Sequence, residues 1–316
     1  MSDLEWRPAT GREQLFARAR LLARIREFFA ARGVLEVTTP LLTHAGVTDP
    51  HLESIPLARN GAFLRTSPEY FHKRLLAAGI GDIYEIGPVF RGGESGGRHC
   101  EEFTLAEWYR VGWTWQALAE EVVTLIRDSG LGPWPTRRCS WRDLARNVLG
   151  LDPLTAVPDQ FNRLLAGAPA DMDRPEQLDW LFVTRMQPAL PSNTITVVCD
   201  FPPEQAALAR IRPGNPPVAE RFEVFIGDLE VANGYQELTD AAEQRRRFEE
   251  DNRRRRNLER PAMPPDERLL AALDAGLPEC AGVALGIERL LMALWGEKDI
   301  ARTRAWPAYF TKADGA

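Results

Sequence analysis

Two residues at the ends of a glycine-rich loop have side chains suited to binding a nucleotide. Arg91 ends one predicted strand and Phe103 lies near the start of the next, with four glycines among Gly92–His99 between them. A guanidinium holds phosphate oxygens as a fork, and an aromatic ring stacks on a base. If the two strands pair, Arg91 comes close to Phe103, which predicts a nucleotide site. A surface hairpin with a half-buried aromatic residue is the alternative interpretation.

The strand that begins near Phe103 carries two more polar groups. Side chains in a strand point to alternate faces, so Phe103, Glu107 and Tyr109 share one face. That face presents an aromatic ring, a carboxylate and a phenol together.

Two later segments add acidic and basic groups. Glu230 and Glu237 flank Asn233-Gly234, and we expect Gly234 to turn the chain so that the two carboxylates converge. Paired carboxylates near a triphosphate are how proteins usually hold Mg²⁺. An edge strand with a solvated loop explains the same residues. Gly282–Arg289 combines a strand, a glycine that permits close backbone approach, and a helix start bearing Arg289.

Other kinds of site are excluded or unsupported. The four histidines have no metal-ligand spacing, and no Walker A loop, Rossmann fingerprint or Gly-x-Ser-x-Gly elbow is present. The cysteines Cys100, Cys139, Cys199 and Cys280 lie too far apart for a small disulfide framework or zinc knuckles, which predicts reduced thiols.

The composition is that of a globular protein. The 316 residues are 44% apolar and 27% charged with a net charge of −6, which excludes fibrous and disordered classes and disfavours a generally basic nucleic-acid binder. No apolar run is long enough to span a membrane, and Met1–Trp6 lacks a signal-peptide pattern. We therefore expect a cytoplasmic protein.

Periodicity and capping residues place these groups on an α+β framework. Helices are predicted at 12–33, 68–79, 114–127, 239–257 and 287–294, and strands at 34–39, 63–66, 82–91, 102–110, 194–199, 222–231 and 282–286. The segment 128–195 shows only helical fragments. Arginine clusters at 245–247 and 253–256 alternate with acidic residues, which favours a solvated helix face over a docking surface for a partner.

Together, these segments resemble the three signature motifs of class II aminoacyl-tRNA synthetases. Gly33–Leu41 resembles the dimer-interface motif, Phe90–Tyr109 the second motif and Gly282–Arg289 the third. Among the branches of this class, the sequence most resembles the lysyl branch, and Thr66–Glu69 and Glu230–Asp240 are the segments that match it. The resemblance covers about residues 12–297 and implies an antiparallel sheet flanked by helices.

Only about eleven residues precede the first helix, so no N-terminal anticodon-binding domain is expected. A lysyl-type core of this length resembles the elongation factor P–(R)-β-lysine ligase family, as does Ala284 in the third motif. The resemblance implies one catalytic domain over residues 1–316 that works as a homodimer. It also implies ATP and Mg²⁺ as cofactors, lysine or (R)-β-lysine as substrate, and a lysine of elongation factor P as acceptor.

The resemblance also implies roles for individual residues. Arg91 is expected to hold the α-phosphate, Arg289 the far phosphates or the adenine face, and Phe103 to stack on adenine. Glu230 and Glu237 are expected to bind the metal. The implied ATP-binding set is Arg91, Gly92, Gly93, Cys100, Phe103, Glu230, Val231, Gly286 and Arg289; the implied substrate-binding set is Ser67, Pro68, Glu69, Glu107, Tyr109, Glu237 and Ala284.

The second motif departs from the family pattern at several positions. Gly92-Gly93 replaces the expected Asn-Glu, and Cys100-Glu101 replaces Asn-Pro. These changes weaken the expected ATP contacts but leave the phosphate and amino-acid ligands in place. Two rival interpretations remain: a truncated synthetase that charges tRNA, and a catalytically silent, synthetase-like regulatory subunit.

Overall fold

A computed structural model describes residues 7–58 and 61–306, so the expectation about Met1–Trp6 lies outside the described residues. The helices are α1 (Arg12–Ala30), α2 (Glu69–Ala77), α3 (Trp115–Ile126), α4 (Trp141–Leu149), α5 (Pro158–Leu164), α6 (Arg174–Leu181), α7 (Ala241–Asn257), α8 (Glu267–Gly276) and α9 (Ile287–Trp295). The strands are β1 (Leu35–Glu36), β2 (Leu42–Thr43), β3 (Phe63–Leu64), β4 (Ile83–Phe90), β5 (Glu102–Val111), β6 (Thr136–Ser140), β7 (Ile195–Phe201), β8 (Ile211–Arg212), β9 (Val218–Ile226), β10 (Leu229–Gln236) and β11 (Cys280–Gly286).

Most strands join one mixed sheet, which confirms the predicted α+β class. Its order is β1-β4-β5-β11-β10-β9-β7-β6, with β8 added beside β9. The pairs β1·β4 and β6·β7 are parallel and the other pairs are antiparallel. β2 and β3 form a separate two-stranded ribbon. The central strands β5, β11, β10 and β9 therefore lie side by side, although they come from distant parts of the sequence.

One face of this sheet is fully covered by helices. The apolar stripe of α1, which includes Ile25 and Phe29, packs with α3 and α9 against inward-facing residues of the sheet such as Trp108 and Val283. Thr114 begins α3 by accepting a hydrogen bond from the backbone N–H of Ala117. Because side chains alternate along β5, the burial of Trp108 on this face turns Glu107 and Tyr109 to the other.

The opposite face is covered only at its two sides. At one side, α4, α5 and α6 pack on β7 and β9 through Trp141, Phe182 and Phe225. At the other, α2, α7 and α8 pack around Phe248 and Leu269. The segment 128–195, which showed only helical fragments in sequence, thus supplies strand β6 and three helices of the first group. The middle of this face remains open between the two helical groups.

Two sequence expectations about strands were wrong. The run 222–231, predicted as one strand, is divided between β9 and β10 by a turn at Gly227, whose φ of 61° suits glycine. Asn233-Gly234, expected to turn the chain, instead lies inside β10, where β9 and β11 pair with it on both sides. No helix of the described residues is long and apolar enough to cross a membrane.

Candidate active site

A cavity of about 1090 Å³ opens on the uncovered middle of the sheet. β5, β11, β10 and β9 form its floor, while α2, α6, α7 and the loop between β4 and β5 contribute to its walls. Most of the predicted site residues line it: Ser67, Glu69, Arg91, Cys100, Phe103, Glu107, Tyr109, Glu230, Val231, Glu237, Ala284, Gly286 and Arg289. Pro68, Gly92 and Gly93 are not among the lining residues.

Two guanidiniums from separate elements reach one end of the cavity. Arg91 follows β4, and its guanidinium carbon lies 5.0 Å from the centre of the Phe103 ring. Arg289 lies in the first turn of α9, and its Nη1 is 3.1 Å from the Glu230 carboxylate. Both arginine side chains are about one quarter exposed. Two planar cations beside an aromatic ring can bind the phosphates and base of a nucleotide.

The unusual residues of the β4–β5 loop are used within the loop itself. The Gly93 N–H donates to the Glu101 carboxylate at 2.7 Å. Cys100 is buried against Met292 and Ile300, and its thiol donates to the Glu102 carbonyl. Burial raises the pKa of the Cys100 thiol. The residues that replace the family's Asn-Pro pair therefore help to hold the loop in shape.

At the other end of the floor, Glu107 is buried and hydrogen-bonded. Ser67 Oγ donates to Glu107 Oε2 at 2.8 Å, and the Tyr109 hydroxyl donates to Oε1 at 2.9 Å. The same Ser67 hydroxyl accepts the backbone N–H of Glu69 at the start of α2. Burial, with a smaller contribution from the negative charge of Glu69, raises the pKa of Glu107 to about 8.

A buried lysine that we did not single out from the sequence joins two predicted substrate ligands. Lys73 Nζ lies 2.7 Å from the carboxylates of both Glu69 and Glu237, and its side chain is 1% exposed. Burial alone would lower the pKa of Lys73, but these carboxylates raise it above its ordinary value. The i,i+4 spacing of Glu69 and Lys73 on a predicted helix was the available signal.

The turn that was expected to bring Glu230 and Glu237 together does not form. Because β10 continues through Asn233-Gly234, Glu230 stays near its start and Glu237 follows its end. Seven residues of extended chain separate them by about 23 Å. Glu237 lies with Lys73 at the end of the cavity that contains Glu69 and Glu107, the carboxylate end. Glu230 lies with Arg289 at the end that contains Arg91, the arginine end.

Glu223, which the sequence reasoning missed, is the second acidic group at the arginine end. A register shift between Glu230 and Ala232 lets Glu230 share the cavity face of β10 with Asn233, whose partner on β9 is Glu223. Burial raises the pKa of Glu223, with the nearby charge of Glu230 acting in the same direction and Arg221 opposing it. The alternation of side chains along β9 could have indicated which face of the sheet Glu223 occupies. It could not have indicated that Glu230 shares that face across the bulge in β10.

Gly282 is the point of closest packing on the floor. A Cβ added there would lie 2.3 Å from Tyr109 Cε1 and 2.4 Å from Glu237 Oε1. Gly282 pairs with Tyr109 on β5 and Tyr235 on β10. The glycine therefore leaves room for the phenol and the carboxylate to approach each other.

Most arginines of the two clusters on α7 are engaged within the protein. Arg246 and Arg247 pair with Glu243, and Arg245 pairs with Glu267. Arg254 pairs with Asp173, the N-cap of α6, so it connects α7 to the segment 128–195. These contacts favour the solvated, structural interpretation of the clusters.

Comparison with known proteins agrees with this geometry. The family described as tRNA synthetases class II (D, K and N) matches residues 2–309. The elongation factor P–(R)-β-lysine ligase of Vibrio cholerae serotype O1 is 44% identical, over 97% of this chain and 99% of that protein. The ligase of the same name from Proteus mirabilis is 42% identical, over 98% and 99%, respectively.

A third ligase of that name, from Haemophilus influenzae, is 44% identical over 91% of this chain and 92% of that protein. Each of these comparisons covers at least 91% of this chain. The chain belongs to the class II tRNA synthetase family and, within it, to the elongation factor P–(R)-β-lysine ligases.

Proposed function

We propose that this protein activates (R)-β-lysine or lysine with ATP and transfers it to a lysine of elongation factor P. A substrate carboxylate oxygen attacks the α-phosphorus of ATP, and pyrophosphate leaves. The ε-amine of the acceptor lysine then attacks the activated carbonyl carbon, loses a proton, and AMP leaves. The observation that carries the proposal is one cavity with two guanidiniums at one end and buried carboxylates at the other.

The arginine end is suited to the nucleotide. We assign Phe103 to stacking on adenine, Arg91 to the α-phosphate and Arg289 to the far phosphates. Charge builds on the α-phosphate oxygens as the new bond forms, so a positioned guanidinium lowers the barrier. We also propose that the reaction takes place in the cytoplasm, because its acceptor is a translation factor.

We assign a divalent cation to the same end of the cavity, where Glu223 pairs with Arg221 and Glu230 pairs with Arg289 in the free protein. Glu223 and Glu230 line the cavity on neighbouring strands, and the charge of Glu230 contributes to the raised pKa of Glu223. Two carboxylates provide the hard oxygen ligands that Mg²⁺ prefers, although the described residues contain no cluster of three or more such ligands. Bound with ATP, the ion would neutralise phosphate charge, and Glu223 and Glu230 would hold it.

The carboxylate end is suited to a substrate with two amines. Glu107, Glu69 and Glu237 surround that end, and Ser67 and Tyr109 orient Glu107 by hydrogen bonds. Desolvated ammonium groups need such partners. Ala284 lies between Glu107 and Asn233 on the floor, so its methyl group limits the depth of the pocket there.

Amino-acid-dependent exchange of pyrophosphate into ATP, without tRNA, tests this function directly. We expect exchange with (R)-β-lysine or L-lysine and none with L-aspartate, because aspartate offers no second ammonium group. No exchange with any amino acid would favour a silent regulatory protein. Charging of purified tRNA by this chain, without modification of elongation factor P, would favour the truncated synthetase.

Gly282→Ala should weaken amino-acid binding selectively. The added methyl group displaces Tyr109 or Glu237 from the carboxylate end, and one misplaced methyl-sized group in a pocket costs about tenfold or more in specificity. In the exchange assay, we expect KM for the amino acid to rise by about tenfold and KM for ATP to stay unchanged. An equal rise in both constants would contradict a local effect.

We also propose that the protein acts as a homodimer through the region of β1 and β2. The apolar side chains of Leu35, Leu41, Leu42 and Ile80 are exposed there, which is unusual for so many large apolar groups in one region. Sedimentation should show a dimer that Leu35→Glu combined with Leu42→Glu converts to a monomer. Val157→Glu, at an equally exposed apolar residue elsewhere, should leave the dimer intact.

A further inference from the structure

His72 is buried directly beneath the carboxylate end of the cavity. It lies on α2 with no exposed surface, between Glu85 of β4 and Glu107 of β5. Its Nε2 is 3.1 Å from Glu85 Oε2, and its Nδ1 is 3.7 Å from Glu107 Oε1. The edge of its ring meets Tyr109, with the ring centres 5.4 Å apart. A titratable ring thus lies between two carboxylates, one of which lines the cavity.

The proton on Nε2 is fixed by Glu85. Burial alone would raise the pKa of Glu85, but hydrogen bonds from His72, Arg65 and Thr39 lower it to about 2. Arg65 also forms an ion pair with Glu85 at 2.8 Å. Glu85 is therefore ionised at neutral pH and accepts the Nε2–H of the ring. In a neutral ring, the other nitrogen then carries a lone pair.

That second nitrogen has no hydrogen-bond partner in the part of the chain that the structure describes. Glu107 Oε1 is the nearest carboxylate oxygen given for it. The charged groups that face the ring are Glu69 on its own helix, Glu85 on β4, Glu107 on β5, and Arg65 from the segment before α2. A lone pair that faces a carboxyl group can accept that group's proton.

The free protein holds one proton at this contact. Burial keeps Glu107 protonated at neutral pH by raising its pKa to about 8. Burial also lowers the pKa of His72, by more than the hydrogen bond to Glu85 raises it. The proton therefore lies on Glu107 in the free protein. A neutral carboxyl group is a poor partner for the ammonium group that the proposed substrate brings to Glu107.

We propose that His72 is a positioning residue that takes the proton of Glu107 when the substrate ammonium binds. The O–H bond of Glu107 breaks and an N–H bond forms at His72 Nδ1, with no proton released to solvent. The resulting imidazolium lies between two carboxylates, Glu85 and Glu107, and ionised Glu107 pairs with the ammonium. This inference rests on the proposed function, because it needs an amine substrate at Glu107.

The required movement is small. The present 3.7 Å separation of Nδ1 and Oε1 is longer than a hydrogen bond, and transfer requires it to close to about 2.8 Å. Attraction between an imidazolium and two carboxylates favours that closure in a buried site. The ammonium supplies the positive charge that makes ionised Glu107 favourable, so binding and transfer occur together.

Proton counting by calorimetry tests the transfer. Binding of (R)-β-lysine at pH 7 is measured in two buffers of different ionisation enthalpy, with the unmodified protein and with His72→Gln. The glutamine amide can still donate to Glu85 but cannot accept a proton. We expect close to zero protons released by the unmodified protein and close to one released by the variant.

The exchange assay supplies an independent readout. In His72→Gln, KM for (R)-β-lysine should rise about tenfold for each pH unit below the pKa of Glu107, because the carboxyl must then lose its proton to solvent. In the unmodified protein, this KM should stay flat from pH 6 to 8. KM for ATP should be unaffected by the substitution.

Two further variants keep the test decisive. His72→Asn also lacks a proton acceptor, so it should release the same proton and can be used if His72→Gln does not fold. Glu107→Gln removes the titrating carboxyl, so adding His72→Gln to it should not change the proton count.

Equal proton release by the unmodified protein and the histidine variants, with exchange intact, would overturn the inference alone. Absence of exchange with any amino acid in the unmodified protein would overturn the proposed function and the inference with it.

Discussion

Arg91→Ala is expected to reduce amino-acid-dependent ATP–pyrophosphate exchange by about a hundredfold to a thousandfold, the range for losing one preorganised group that stabilises transition-state charge. Arg91 extends from β4 beside the ring of Phe103, so its guanidinium lies where the α-phosphate must be if adenine stacks on that ring. Its contacts with the protein are weak: a 3.4 Å hydrogen bond to the Thr66 carbonyl and a 3.7 Å approach to Glu94. The fold therefore does not depend on Arg91.

Thermal unfolding of Arg91→Ala should accordingly match that of the unmodified protein. Arg245→Ala is the matched control, since Arg245 is a half-exposed arginine that pairs with Glu267 away from the cavity. It should retain full exchange activity. Exchange by Arg91→Ala within tenfold of the unmodified protein would contradict the assignment of Arg91 to the α-phosphate.

Lys73→Met is expected to lower the free energy of unfolding by about 3–5 kcal/mol, the usual cost of removing one partner from a buried ion network. Lys73 is the cation between Glu69 and Glu237, and methionine fills a similar volume without a charge. The two carboxylates then face each other in a buried site. Denaturant unfolding measures this loss, and Lys298→Met, at an exposed lysine, should change the same free energy by less than about 0.5 kcal/mol.

The loss in Lys73→Met should depend on pH. Burial already raises the pKa of Glu237 with Lys73 present, and removing the lysine raises it further. When the pKa of a carboxyl is higher in the folded state than in the unfolded state, the folded protein loses stability as the pH rises through the folded-state pKa. The difference in unfolding free energy from the unmodified protein should therefore be larger at pH 8 than at pH 5. A difference that shrinks as pH rises would contradict the buried ion network.

The local sequence pattern was enough to predict those features that depend on a single physical rule. Alternation along β5 correctly put Phe103, Glu107 and Tyr109 on one face, because the sheet is covered on one side and open on the other. The glycine-rich loop and its flanking strands were also predicted close to their observed bounds. These features are local in sequence, so no knowledge of distant partners was needed.

The errors arose where tertiary pairing overrides local preference. Asn233-Gly234 is a common turn pair, yet β9 and β11 pair with it on both sides and hold it extended. Gly227-Asp228, which is also a recognised hairpin turn pair, makes the actual turn between β9 and β10. Whether such a segment turns or stays extended is decided by the strands that pair with it. Those strands come from distant segments, whose pairing the sequence alone does not reveal.

The buried charges were the least predictable part of the site. His72 and Lys73 follow one another on α2, in a run of three basic residues that ends at Arg74. Polar residues are usually exposed, so burial of both becomes evident only when α2 is packed against β4 and β5. Their partners Glu85 and Glu237 lie 13 and 164 residues away in sequence.

The continuity of β5 has a consequence for substrate length. Phe103 and Glu107 project from the same strand, four residues or about 13 Å apart. β4 pairs with β5 at both positions, and β11 pairs with β5 from Leu105 onward. The residue proposed to stack on adenine and the residue proposed to bind the substrate amine are thus joined by strand backbone rather than by a hinge or a loop. Because both residues lie on β5, the strand itself sets the span between these two proposed binding positions. If adenine stacks on Phe103 and the substrate amine pairs with Glu107, as proposed, an amino acid with a shorter side chain would leave its amine short of Glu107.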